Sequence, residues 1–164
     1  MRLPGIRHVL LAGIAACTMA QVWALDCGTV KSVQGEVLVE RAGTAIPLRA
    51  GDSLQELDRV VVGAAGGVGI TLKDETLISL GPHSTLVIDG FAFDAKTNDG
   101  TVDTSLLRGA MRYVTGLVGR MNPKAIRVST PTAIIGIRGT DFIVEAGGED
   151  QDADGHHHAW HSGP

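Results

Sequence analysis

Aromatic residues and positive charge are both scarce in this sequence of 164 residues. Phe, Trp and Tyr make up 4% of it, so few side chains are available to stack on nucleic-acid bases or on sugars. The 14 Lys and Arg are outnumbered by 18 Asp and Glu, and no basic stripe that could neutralise a phosphate backbone is present. The composition therefore argues against a nucleic-acid partner.

Long apolar runs are missing as well, except for one near the N-terminus. Two arginines precede the apolar residues 9–19, and Val22-Trp23-Ala24 places small residues at the −3 and −1 positions of an export cleavage site. A membrane-spanning helix needs about 20 apolar residues, more than this run contains. We therefore expect a signal peptide over residues 1–24, export to the periplasm, and a mature chain without a transmembrane helix.

Only two cysteines are present, Cys17 and Cys27. Ile14-Ala15-Ala16-Cys17 also has the pattern of a bacterial lipobox, so a lipid anchor at Cys17 in the envelope is the alternative to cleavage after Ala24. If cleavage removes Cys17, Cys27 has no partner for an internal disulfide. We then expect Cys27 to be a spare thiol near a flexible end, or an intermolecular link.

Helical periodicity is almost absent from residues 29–144. Short runs of Val, Ile, Leu and Thr are separated by Gly, Asp and Pro, which is typical of strands joined by tight turns. A spacing of roughly 8–12 residues between strand starts indicates an all-β sandwich, barrel or solenoid. The predicted strands are residues 29–33, 36–41, 45–48, 59–62, 68–72, 76–80, 85–88, 105–114, 125–130 and 133–145.

Two further segments, residues 94–100 and 106–120, do not have a clear strand pattern. The polar residues 94–100 predict an exposed, mobile loop. The apolar residues within 106–120 have near-helical spacing, but each glycine there costs about 1 kcal/mol inside a helix. We expect a strand through Val114, followed by a loop or one helical turn up to Pro123.

The composition changes after Glu145. Four acidic residues are followed by four histidines in a tail with almost no apolar content, which is typical of a disordered segment. Such histidines could bind Zn²⁺, Ni²⁺ or Cu²⁺, and the alternative is a solvated terminus that binds no metal. The candidate ligands are His156, His157, His158 and His161. The predicted organisation is a signal peptide over 1–24, a β domain over 25–145 and a disordered acidic, His-rich tail over 146–164.

Catalytic motifs are missing. The sequence has no nucleophile elbow, no phosphate-binding loop and no zinc-protease helix. His83 has no cysteine or second histidine nearby in the sequence, so we interpret it as a residue of a surface turn. Asp74 and Glu75 are expected to be solvated at a hairpin tip rather than to work as a carboxylate pair. We expect no enzymatic activity, and no cofactor apart from the metal candidate in the tail.

The most specific motif is residues 130–142, Thr-Pro-Thr-Ala-Ile-Ile-Gly-Ile-Arg-Gly-Thr-Asp-Phe. Three shorter motifs precede it, at residues 48–54, 72–77 and 80–86. In this order the set resembles the FecR domain, a periplasmic module named from a ferric-citrate signalling regulator, over residues 33–144. Glu75 stands where that family usually has Gly, so we expect a turn type that tolerates a side chain there.

The resemblance implies an all-β fold of many short strands, elongated and twisted like a β-helix or solenoid, while the strand pattern alone leaves a sandwich open. It implies a protein-interaction or signalling adaptor with an envelope or membrane-spanning protein as partner. The best-known members add a cytoplasmic helical domain and a membrane helix, which this sequence does not show, so their sigma-factor role is not expected here. The alternative is a structural protein or one that binds cell-wall glycan.

The long motif supplies the candidate interaction residues. Glycines close to Arg138 on both sides indicate a bulge or a close backbone approach. Asp141 lies three residues further on, within reach of a bidentate ion pair with Arg138. This pair either locks the last hairpin, or Arg138 faces a carboxylate of a partner. The candidate residues are Thr130, Pro131, Gly136, Arg138, Gly139, Thr140, Asp141 and Phe142.

Overall fold

The computed structural model describes residues 26–137 and 139–147. The predicted signal peptide, Cys17, Arg138 and the histidines of the tail lie outside these residues. Within them, no helix is long and apolar enough to cross a membrane.

The described residues form twelve strands, one short α-helix and one 3₁₀ turn. The strands are β1 Asp26–Gln34, β2 Val37–Arg41, β3 Thr44–Pro47, β4 Ser53–Gln55, β5 Arg59–Val62, β6 Gly67–Leu72, β7 Leu77–Leu80, β8 Thr85–Phe93, β9 Gly100–Val114, β10 Ile126–Ser129, β11 Ile134–Gly136 and β12 Asp141–Ala146. The helix α1 is Leu117–Met121, and the 3₁₀ turn is Pro123–Ala125. The predicted all-β fold is confirmed.

The strands join into one curled sheet with the order β3-β2-β5-β8-β9-β7-β6-β1-β4. Strand β9 is its centre. The first part of β9 pairs with β8 on one side and, in parallel, with β10 on the other. Its last part pairs with β7 and β12. Strands β10 and β12 therefore pair with different parts of β9, and β11 pairs with β10.

Burial follows the period of two that a strand imposes on its side chains. In β6 every second residue is buried, and the same alternation runs through β5, β7 and the middle of β9. The inward rows meet in one core, in which Leu54, Ile78, Leu86 and Leu106 have no exposed surface. Each such side chain contributes about 1.5–3 kcal/mol on burial, so the core supplies most of the stabilisation.

A tight contact between Gly109 and Ser84 marks the place where β9 passes from β8 to β7. Gly109 has a φ of +87°, and a Cβ atom there would overlap the side chain of Ser84. The Ser84 hydroxyl donates to the carbonyl of Ala110 and accepts from its N–H group, both at 3.1 Å. Only glycine combines this left-handed backbone with so close an approach.

The predicted strands are confirmed in most places, but β1, β8 and β9 are several residues longer than predicted. Two further differences are explained by long-range pairing. Strand β4 was not predicted, because its three residues are extended only through pairing with β1. The predicted strand 133–145 is two strands, β11 and β12, since β11 pairs with β10 while β12 pairs with β9. The expected helical turn after Val114 is α1.

The prediction that Cys27 is a spare thiol near a flexible end is wrong. Cys27 lies in β1 with 1% of its surface exposed, and its thiol donates to the carbonyl of Leu54 at 3.2 Å. Burial raises the pKa of the Cys27 thiol to about 12. The residue is part of the core, so the fold leaves no thiol surface for an intermolecular link.

The prediction of a solvated hairpin tip is wrong for Asp74, which has no exposed surface. Its carboxylate turns inward and accepts from the N–H and hydroxyl groups of Thr76, at 3.1 and 2.8 Å. The same hydroxyl accepts from the N–H of Gly116 at 3.0 Å, so Asp74 and Thr76 connect the β6–β7 turn to the start of α1. Glu75 is exposed as expected, but it adopts a φ of +67°, so the turn still uses the conformation that favours glycine.

A second buried carboxylate, Asp58, connects β2 with β4. Asp58 has no exposed surface, and Arg41 binds both of its oxygens, at 2.7 and 2.6 Å. The N–H of Gln55 donates to the same carboxylate at 2.7 Å. This bidentate pair satisfies a buried charge, which is costly when it is left alone. His83 lies exposed in the turn between β7 and β8, as predicted.

Candidate interaction surface

The candidate residues of the long motif fall into two groups in the structure. Thr130, Pro131 and Gly136 belong to the β10–β11 hairpin, whereas Thr140, Asp141 and Phe142 lie at the start of β12. Arg138 lies between the groups and outside the described residues. The two groups serve different purposes, since one closes the fold and the other is exposed.

The β12 group fixes the last strand to β9. The carbonyl of Thr140 accepts from the N–H of Thr115 at 2.8 Å. The ring of Phe142 stacks on Tyr113 with 5.1 Å between the centroids and an angle of 22° between the planes. Tyr113 has no exposed surface, and burial raises the pKa of its hydroxyl. The aromatic contact therefore anchors β12 to the core.

Asp141 forms an ion pair with Arg112 on β9. The guanidinium donates from Nε to Oδ1 at 3.0 Å and from a terminal nitrogen to Oδ2 at 2.6 Å. These hydrogen bonds hold the pKa of the Asp141 carboxyl below its usual value and raise the pKa of Arg112. The predicted pair between Arg138 and Asp141 stays a prediction, because Arg138 lies outside the described residues.

Neither glycine beside Arg138 is required by a close backbone approach. A Cβ atom at Gly136 or at Gly139 would meet no described atom within 4 Å. Gly139 is needed for another reason, since its φ is +123°, whereas the φ of Gly136 is not in the left-handed region. The motif therefore has a turn, rather than a tight backbone crossing, at this point.

The hairpin group turns at Pro131 and leaves its edge exposed. The N–H of Thr130 donates to the carbonyl of Ala133 at 2.8 Å, and the N–H of Ala133 donates to the Thr130 hydroxyl at 3.1 Å. The next residue, Ile134, is a large apolar side chain with 73% of its surface exposed. Ile137, just after β11, is buried and holds the hairpin against the core.

A groove of about 370 Å³ lies beside this hairpin. Its apolar lining comes mainly from isoleucines of β10 and of the segment that follows it, and Lys124 and Arg127 supply two positive charges. Arg127 lies 3.8 Å from Asp103, an exposed and therefore weak ion pair. Among residues 26–137 and 139–147, Lys124 has no carboxylate within ion-pair distance. The groove is lined by Pro123, Lys124, Ile126, Arg127, Ile134, Ile135, Gly136 and Ile137.

The outer edge of β11 is available for further pairing. Within the described part of the chain, β11 pairs only with β10, in antiparallel register from Ser129–Ile134 to Arg127–Gly136. The backbone groups on the other side of β11 have no strand partner there. Such an edge can accept an extended segment of another protein as an additional strand.

The lining of the groove is mostly apolar, with two cationic side chains, and it includes no serine, threonine or cysteine, no histidine and no carboxylate. Nowhere in the described ranges do three or more His, Cys, Asp or Glu side chains come together as a group that could hold a metal ion. The metal candidates His156, His157, His158 and His161 lie outside these ranges, so metal binding by the tail stays a prediction.

The sequence alone did not single out Lys124, Arg127 or Ile134. The sequence pattern could have indicated that Arg127 is exposed. Arg127 lies between Ile126 and Val128, which are both buried, and side chains alternate between the two faces of a strand. Ile134 has no such signal, since it is one of two adjacent isoleucines and either could point inward. The pairing of β10 with β9 determines which face of the β10–β11 hairpin is buried against the core.

A family model described as FecR protein matches residues 58–154, which is more than half of the chain. The chain belongs to the FecR protein family. The match spans β5 to β12, so it includes both groups of motif residues and the whole groove, and it continues into the acidic start of the tail. No curated protein and no solved structure gives a significant match. The FecR family is regulatory, non-enzymatic and associated with the cell envelope.

Proposed function

We propose that this FecR protein is a non-catalytic interaction module of the bacterial envelope, which binds a partner protein at the β10–β11 hairpin. The observation that carries the proposal is the outer edge of β11, which has no strand partner among the described residues and lies next to the exposed Ile134 and the groove. An unpaired strand edge beside an apolar groove is suited to binding an extended peptide segment. The predicted export signal supports a periplasmic location for the interaction.

The expected contacts define both the strength and the chemistry of the interaction. Burying Ile134 would contribute about 1.5–3 kcal/mol, and each main-chain hydrogen bond to β11 about 0.5–1.5 kcal/mol. Association costs at least about 4 kcal/mol, so three strand residues and one isoleucine give weak binding unless the groove is also filled. We therefore expect a partner segment with apolar side chains for the groove and an acidic group for Lys124 or Arg127.

The partner would be an envelope protein or a membrane-spanning receptor or sensor, through which the module takes part in signalling. The chain belongs to the FecR family, which is regulatory, and this supports a signalling role over the alternative of a structural or glycan-binding protein. Carbohydrate sites commonly use exposed aromatic rings. In the described residues the one tyrosine is buried, and Phe91, Phe93 and Phe142 are each partly buried against the core.

Affinity capture of envelope proteins tests the proposal. The wild-type chain is compared with Ile134→Asp and with the control Leu77→Asp, which changes another exposed apolar residue, 46% exposed, on β7. We expect Ile134→Asp to lose a receptor or sensor protein that the wild type and Leu77→Asp retain. Capture of peptidoglycan fragments alone, or equal capture by all three chains, would contradict the proposal.

A further inference from the structure

The pairing of β11 with β10 determines which backbone groups of β11 face outward. In an antiparallel pair of strands, hydrogen-bonded and non-hydrogen-bonded residue pairs alternate. The N–H of Thr130 donates to the carbonyl of Ala133 at 2.8 Å, which makes these two residues a hydrogen-bonded pair. Ile135, two positions further along, is therefore hydrogen-bonded to β10. The N–H and C=O groups of Ile134 and Gly136 point to the outer edge, where an added strand would bind them.

The glycine at position 136 is not explained by the fold. Its φ does not lie in the left-handed region, so the backbone does not require a glycine. A Cβ atom there would meet no described atom within 4 Å, so the packing does not require one either. A glycine inside a strand weakens the strand, because it has no side chain to pack. Gly136 therefore leaves open space on the strand that binds the proposed partner.

Two side chains flank this open space. Ile134 lies two residues earlier on β11, and Arg127 lies directly opposite Gly136 on β10, so all three residues share one face of the hairpin. All three also line the groove. Ile134 is 73% exposed, and the Arg127 side chain is 62% exposed in a weak contact with Asp103. We call the space above Gly136, between Ile134 and Arg127, the Gly136 notch.

The chemistry of the Gly136 notch fits an aromatic ring. In a β-sheet, an aromatic side chain beside a glycine covers the exposed backbone and offsets the missing side chain. The ring would bury apolar surface of Ile134, and its face attracts a guanidinium that lies within about 6 Å, as Arg127 can. A carboxylate would pair with Arg127 alone and leave the glycine and Ile134 uncovered.

We propose that the partner segment adds to the outer edge of β11 as a strand and places an aromatic side chain in the Gly136 notch. Gly136 is then a specificity-determining residue, because any side chain at this position would occupy the space of the ring. The acidic group expected in the same segment pairs with Lys124, which has no carboxylate within ion-pair distance among the described residues. The inference rests on the proposed function, since it names the side chain that the same surface recognises.

Selection of short random linear peptides on the full chain tests the inference without a known partner. Peptides are displayed on phage, selected on the wild type and counter-selected on Ile134→Asp. We expect the enriched peptides to share one aromatic residue with an acidic residue close to it. When a selected peptide is synthesised, replacing its aromatic residue by leucine should weaken binding by about 2- to 10-fold, since part of the attraction is specific to a ring.

Filling the Gly136 notch separates binding from folding. Gly136→Val should weaken binding of the selected peptide by about tenfold or more, because the valine overlaps the ring. Its melting temperature should equal or exceed that of the wild type, since valine suits a strand better than glycine. Gly147→Val is the matched control, because Gly147 also has open space around its Cβ position and an ordinary φ but lies outside the groove. This control should bind the peptide like the wild type.

The results distinguish this inference from the proposed function. Peptides that require Ile134 but show no aromatic preference, or that bind Gly136→Val and the wild type equally, would overturn the inference and leave the proposed function standing. A melting temperature lowered by both Gly136→Val and Gly136→Ala would show that the fold needs the glycine, and would also overturn the inference. If no peptide distinguishes the wild type from Ile134→Asp, the proposed function fails together with the inference.

Discussion

Arg112 on β9 holds both carboxylate oxygens of Asp141 on β12, at 3.0 and 2.6 Å. Asp141 is one of the two charged residues in the most specific motif of the sequence, residues 130–142. One charged residue of this motif therefore contributes to closing the fold. Both side chains are about half exposed, at 59% and 45%. An ion pair in contact with water contributes little to stability, and its main effect here is to fix the orientation of β12.

The first prediction concerns the pH dependence of this pair. Arg112 lowers the pKa of Asp141 in the folded state, so the pair stabilises the fold above the unfolded pKa of about 3.9 and loses this effect as the pH falls through the lower, folded pKa. Asp141→Asn should therefore slightly lower the melting temperature at pH 7 and have no effect near pH 2. The control Glu145→Gln removes an exposed carboxylate of the same strand that has no ion-pair partner among the described residues, so it should leave the melting temperature at pH 7 nearly unchanged. A loss that grows as the pH falls would contradict the assignment.

The second prediction is that Glu75→Gly stabilises the protein. Glu75 is exposed with a φ of +67°, a conformation that costs a residue with a side chain about 1 kcal/mol relative to Gly. Greater freedom of glycine in the unfolded state offsets part of the gain, so we expect an increase of roughly 0.5 kcal/mol in the free energy of unfolding. Lys73→Gly, two residues away with an ordinary φ, should destabilise. Urea denaturation measures both, and destabilisation by Glu75→Gly would show that the side chain has another role.

The third prediction separates backbone conformation from steric contact. Gly43 and Gly109 have similar φ values, +79° and +87°, but only at Gly109 would a Cβ atom overlap a neighbour, the side chain of Ser84. Gly43→Ala should cost about 1–2 kcal/mol for the left-handed backbone alone. Gly109→Ala should cost roughly 2–5 kcal/mol, because overpacking adds to it. Equal losses in thermal or urea unfolding would show that the contact with Ser84 is easily relieved.

The fourth prediction concerns the buried Asp74. Thr76→Val keeps the shape of the side chain but removes the hydroxyl that donates to Asp74 and accepts from Gly116. The Asp74 carboxylate and the Gly116 N–H then each lose a hydrogen-bond partner, which should lower the free energy of unfolding by about 2–4 kcal/mol. Thr71→Val, on the neighbouring strand and half-buried, is the matched control and should change stability by less than about 1 kcal/mol. A small effect at Thr76 would mean that Asp74 finds other donors.

Local patterning was sufficient to predict most of the strands but not their partners. Alternation of buried and exposed residues is a property of each segment, so β5 was predicted with its observed bounds, Arg59–Val62. Strand β4 and the break between β11 and β12 depend on pairing with β1, β9 and β10, which are distant in sequence. The burial of Cys27 depends on contacts of the same kind, with Leu54.

The candidate site was predicted in part for the same reason. The long motif correctly pointed to the closing strands, because its glycines, proline and apolar residues are close together in sequence. It gave no indication that Asp141 would pair with Arg112, 29 residues earlier. It also gave no indication that Ile134 would be exposed beside Lys124 and Arg127, since that follows from the placement of β10 against β9.

Site-specific photo-cross-linking in intact cells tests most directly whether the β10–β11 hairpin is the binding surface. A photoreactive residue is placed at Ile134 in one chain and at Leu77 in another, two exposed apolar positions that do not contribute to the core. We predict a cross-linked envelope protein from position 134 that is absent from position 77, and its loss when Lys124 and Arg127 are both changed to Glu. The same protein cross-linked equally from both positions, or no protein from position 134, would contradict the account.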